Sequence, residues 1–188
     1  MRRQLIPIAA FAAFALLVAF YPRPVLAFNK GDDKSKLGEA DRTFIRQGLQ
    51  GTQVQASLAR LARSRSNNEN VKKFAEQSLG TLTEVERDLR EQANKYDMDV
   101  SARANETQKD IDERLSKLKG TEFDEQYMKE QVGMLEWLVK VFDREIKEGD
   151  NDSLKSLATH RVDDLRDRHA KARKIYDDLY SDRKGKDK

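Results

Sequence analysis

Apolar residues recur every third or fourth position through four stretches of this chain, and that spacing predicts four long helices. The first runs from about Asp41 to Ser66 and sets Phe44, Gly48, Gly51, Gln55, Leu58 and Ala62 on one face, where the two glycines let a neighbouring helix approach closely. The second runs from about Glu69 to Tyr96 behind Asn68 as N-cap, with Val71, Ala75, Ser78, Leu82, Val85, Leu89 and Tyr96 in a stripe. The third begins near Glu122, behind Thr121 as N-cap with Asp124 three residues on. It presents Tyr127, Gln131, Leu135, Leu138, Phe142 and Ile146, and ends at Gly149. The fourth starts behind Asp152 and presents Leu154, Leu157, Leu165, Ala172, Ile175 and Leu179.

The connections then select a topology. Helices one and two, and helices three and four, are separated by a few residues and must form antiparallel hairpins. Between the hairpins the chain has to travel back along a helix of about 42 Å, which takes a long connection with a short helical piece around Thr107 to Leu118. The expected fold class is all-α: a ferritin-like four-helix bundle, two hairpins joined by one crossover.

The N-terminus has a different pattern. Arg2 and Arg3 precede an almost wholly apolar run from Leu5 to Phe20, and Val25-Leu26-Ala27 offers small or modest residues for a signal peptidase. Residues 1–27 read as a secretory signal cleaved after Ala27, with no stable membrane insertion afterwards and a periplasmic or secreted destination. The alternative is an uncleaved membrane anchor, disfavoured by the short apolar core and by Pro7, Pro22 and Pro24. Residues 28–39 read as a polar linker, 40–181 as the helical domain and 182–188 as a charged disordered tail. The chain has no cysteine, which excludes a lipid-modified N-terminus, disulfides and thiolate metal sites.

Charge narrows the partners. The whole chain is formally +3, but Arg2, Arg3 and Arg23 all precede the cleavage point, and the remainder balances 33 basic against 33 acidic residues. Both signs are interleaved along the helices, as in ERDLREQ and DDLRDRHAKARK, so no basic stripe is available for nucleic acid. An unidentified envelope protein, or self-association, is the partner class that remains.

The strings LARLA at 58–62, VKKFA at 71–75, FDxxY at 123–127, the QV pair at 131 and 132 and LKSLA at 154–158, with Phe44 opening the first helix, make the chain resemble the domain-of-unknown-function 4142 family of exported, ferritin-like bacterial proteins. The resemblance covers about Asp41 to Leu179 and implies that fold and export. It also implies a set of metal-type positions: glutamates at Gln55 and Ser57, Asp-His pairs at Thr81-Leu82 and Met134-Leu135, and a histidine at Arg168, with His169 beside it. This chain has replaced every one of those ligands.

The residues alone lead to the same expectation. A di-iron centre in such a bundle takes a carboxylate from two helices and Glu-x-x-His from the other two. Three residues before His160 is Leu157, and three before His169 is Arg166. His160 is expected at the surface, and His169 at the border of the core as the one weak metal candidate. Arg168 is expected either to reach outward or to pair with a carboxylate of a neighbouring helix. No phosphate-binding glycine loop, nucleophile elbow or zinc-protease motif occurs. Asp163-Asp164 and Asp177-Asp178 point apart around a helix as solvated surface, and EGDNDS at 148–153 fits two helix caps better than a calcium loop.

The expected function is therefore non-enzymatic, without a cofactor: an envelope protein acting through its surface. Trp137 lies about 200° around its helix from Leu135. It is either an interface anchor or is packed under the crossover near Ile111 and Leu115. The alternative is a metal-binding or redox protein with a relocated site.

Overall fold

The structure, a computed structural model, describes residues 37–100 and 104–186. The expected signal at 1–27 and residues 28–36 of the expected linker lie outside the described residues. The described residues form five helices and no strand: α1 (Glu39–Arg65), α2 (Glu69–Lys95), α3 (Ala104–Ser116), α4 (Gly120–Glu148) and α5 (Asp152–Lys186). The all-α expectation holds. α1 packs against α2 and α4, and α5 packs against α4 and α2, while α3 lies mainly on α1. None of these helices is long and apolar enough to cross a membrane.

The helices form where apolar period and caps coincide. All the residues expected on the α1 and α2 faces are buried, and so are Tyr127, Leu135, Leu138 and Phe142 of α4. Phe44 meets Phe142 edge-on at 4.9 Å between ring centres, which fixes the register of α1 on α4. Asn68 caps α2 as expected, accepting the N–H groups of Asn70 and Val71. At its far end Asp97 adopts a left-handed φ of 49°, and the N–H of Met98 closes on the Ala93 carbonyl, which stops the helix.

Four boundaries differ from the sequence expectation. Leu37 is buried in the core and Gly38 donates its N–H to Asp41, so the linker ends before residue 37 rather than at 39. Thr121 is exposed and is not the cap of α4: Gly120, with φ of 55°, turns the chain and already belongs to the helix, while the Asp124 side chain is drawn toward Ser66. Asn151, not Asp152, caps α5, its Oδ1 accepting from Ser153 and Leu154 at 3.1 Å each. α5 also continues to Lys186, through most of the expected disordered tail. Lys184 lies 4.9 Å from the Tyr180 ring one turn back, a contact that favours continuing the helix.

Two arginines tie the elements together. Arg65, at the end of α1, donates to the carbonyls of Leu115, Ser116 and Leu118 and lies 5.3 Å from the centre of the Phe123 ring. One side chain thereby holds the end of α3 and the start of α4 to α1. Arg161 of α5 reaches Asp88 at 2.6 Å and Glu84 at 3.0 Å, which fixes α5 on α2.

Candidate functional site

Gln55, Leu82 and Leu135 project inward from α1, α2 and α4, and each is fully buried. The register in which Phe44 meets Phe142, Gly51 abuts Leu138 and Arg65 covers Phe123 brings Gln55 level with Gln131. Neither amide finds a protein partner for its nitrogen or oxygen. The Tyr127 hydroxyl is also buried without a partner, and burial raises its pKa.

Arg168 comes to this interior from α5. One guanidinium nitrogen donates to Ser78 Oγ at 2.9 Å, another to Thr81 Oγ1, and Nε has no partner. Burial holds its pKa below the ordinary arginine value, opposed by the charge of Asp164 one turn earlier on the same helix. Of the two expectations for Arg168, an outward reach or a carboxylate on a neighbouring helix, neither describes it: the side chain turns inward to α2. The neighbour offers hydroxyls, which take the guanidinium's hydrogen bonds without neutralising its charge.

Ser57 does not join this layer. Two residues beyond Gln55, it faces the other way and accepts a 2.6 Å hydrogen bond from Gln108 of α3. His160 is exposed. His169 is half-buried beside Arg168, with Nε2 enclosed and lacking a hydrogen-bond partner. Among the described residues no three histidine or carboxylate side chains are grouped to hold a metal. The layer itself does not fit one either: it offers two leucines, neutral amides and a cation that would repel another.

Sequence reasoning missed a second polar cluster. Asp41 and Glu145 are both buried at the end of the molecule where α1 begins. Asp41 accepts the N–H groups of Gly38, Asp150 and Asn151, at 2.9, 3.1 and 3.2 Å, and Asn151 donates to the Tyr96 hydroxyl at 2.9 Å. Glu145 meets no donor; beside it is the Asp41 carboxyl, and burial followed by that neighbour pushes its pKa up to about 8. The only sequence hint was a polar residue at a core spacing: Glu145 is three residues from Phe142, and Asp41 three from Phe44.

Trp137 takes a position between the two expected ones. It is 38% exposed, yet an atom of its ring would lie 2.6 Å from a Cβ at Gly51, so the indole rests directly on the α1 backbone. Between it and Ile111 of α3 opens a cleft of about 300 Å³, with Gly51, Val54, Gly133 and Met134 among its walls. Asp163, Asp164, Asp177 and Asp178 are all exposed.

A sequence profile described as a domain of unknown function, DUF4142, matches residues 28–175. The chain belongs to the DUF4142 family. That match includes α1 to α4 and most of α5, and so carries the interior layer, the Asp41–Glu145 pair and the Trp137 cleft together. No curated protein and no solved structure matches the chain. DUF4142 membership names no reaction, so the chemistry has to come from the residues.

Proposed function

We propose that this DUF4142 protein is an exported, non-enzymatic component of the bacterial cell envelope. In this reading it is a ferritin-like four-helix bundle, made of the α1–α2 and α4–α5 hairpins with α3 in the crossover, that acts through its surface. The observation that carries the reading is the interior layer. Leu82 and Leu135 fill volume there, Gln55 is neutral, and Arg168 brings a positive charge bound to two hydroxyls. Burial of two leucines stabilises by roughly 1.5–3 kcal/mol each, which offsets the cost of enclosing the Gln55 and Gln131 amides without protein partners. Export is supported by the charged start, apolar run and small-residue site of residues 1–27.

Crosslinking in intact cells, followed by identification of what is joined to the chain, tests the surface role. The expected result is an envelope protein or a second copy, on a chain that begins at Phe28 by intact mass. Untagged protein prepared without chelator is expected to carry no stoichiometric iron, manganese or zinc. One or two metal ions per chain, lost in His169→Ala, would overturn the reading and favour a relocated metal site.

A further inference from the structure

Two glycines in the cleft beside Trp137 have different causes. At Gly51 a Cβ would come within 2.6 Å of the indole and 3.1 Å of Leu138, so helix packing demands glycine. At Gly133, in the interior of α4, a Cβ would meet nothing within 4 Å. Glycine there costs a helix about 1 kcal/mol relative to alanine, with no packing contact and no unusual backbone angle to explain it. Gly133 is exposed and lines the cleft, so its missing side chain leaves the cleft's floor open there.

The cleft's chemistry selects an occupant. Trp137, Met134, Val54 and Ile111 supply an aromatic edge, a polarizable thioether and two branched apolar side chains. The one acidic group on the rim, Glu130, is bonded to Arg114 at 3.2 Å and to Gln126 at 2.8 Å, so its charge is already met. A volume of about 300 Å³ is at the lower end for small-molecule pockets.

We infer that the cleft between α1, α3 and α4 is a binding site for a small, uncharged, flat aromatic molecule that lies against Trp137 over Gly133. This inference rests on the cleft alone and stands whether or not the protein also has an envelope partner.

Trp137 is the single tryptophan of the chain, so its emission reports on this site. The mature protein is titrated with 2-methyl-1,4-naphthoquinone, a neutral bicyclic quencher, and in parallel with 1-naphthoate, which is similar in size but anionic. Saturable quenching by the quinone is expected, weakened at least tenfold in Gly133→Leu, which fills the floor. Gly80→Leu, at another position where a Cβ meets nothing within 4 Å, is expected to change it less than twofold. The carboxylate should bind at least tenfold more weakly. Should Gly133→Leu fail to fold, the Met134 methyl resonance of the unaltered protein decides, since it must shift with the same saturation as the quenching. Linear quenching, equal affinity in Gly133→Leu, a still Met134 methyl or equal binding of 1-naphthoate would each overturn the inference. So would emission that changes with protein concentration alone, because a second copy would then be the occupant.

Discussion

The carboxyl groups of Asp41 and Glu145 face each other in the interior, where α1 begins and α4 ends. Asp41 is held by three backbone N–H groups, whereas Glu145 has no donor and can bond to its neighbour only by carrying a proton. Burial is the larger cause of its raised pKa. Asp41 and Asp150 add to it, and Lys155 opposes them.

That arrangement makes stability depend on pH. With a folded pKa of about 8 against an ordinary value of 4.5, the folded state holds a proton that the unfolded state has released. Stability from this group is therefore full below about pH 4.5, falls as the pH rises toward 8, and is level above that. Glu145→Gln supplies a permanent donor to Asp41 and should abolish the decline, with a gain on the order of 1–3 kcal/mol at pH 8. Denaturant midpoints at pH 5 and pH 8 for both proteins check this; an unchanged pH slope in the variant would refute it.

Gly51→Ala and Gly133→Ala should move stability in opposite directions. The first presses a methyl group into the Trp137 ring and should cost about 1–2 kcal/mol net of the better helix propensity. The second adds a side chain facing open space and should gain about 0.5–1 kcal/mol. Thermal melts decide, and Trp137 emission should shift in the first.

Arg65→Ala should loosen α3 before anything else. Its guanidinium donates to three carbonyls at and just beyond the end of that helix, and the loss should cost about 1–2 kcal/mol, with faster amide exchange in 104–116 than in α2. Arg65→Lys should restore only part, because an ammonium cannot reproduce the fork. Uniform acceleration across all helices would show that Arg65 has no special hold on α3.

Arg168→Met should be tolerated to within about 1 kcal/mol or raise the melting temperature. It removes a half-desolvated charge and keeps most of the volume, and Ser78 and Thr81 can turn their hydroxyls to carbonyls of their own helix. Arg168→Ala should cost more, about 2 kcal/mol, through the space it leaves. A large loss in the methionine variant would mean that the guanidinium's hydrogen bonds are essential to α5.

The core stripes of α1 and α2 could be read from the sequence because burial there follows the period of the helix. Leu82 and Leu135 were legible as filler for the same reason. The partners of Arg168 were not: hydroxyls at positions 78 and 81 look like surface or stripe residues until α2 and α5 are in register. Asp41 and Glu145 were still less legible. Each reads as one more charged residue in a charge-rich helix, and only the return of the chain places them together. Asn151 was missed as a cap because Asp152, a residue type that serves equally well, stands next to it.

Asp41 is bound by backbone groups 109 and 110 positions downstream. Contacts of such sequence separation form late in folding, because the loop they close costs entropy that only the completed structure offsets. The α1–α2 hairpin is therefore expected to form before its own first turn is secured. Weakening this closure should leave the refolding limb of a chevron plot nearly unchanged and raise the unfolding limb. The start of α1 then governs how long a folded molecule lasts, and has little influence on how quickly one is made.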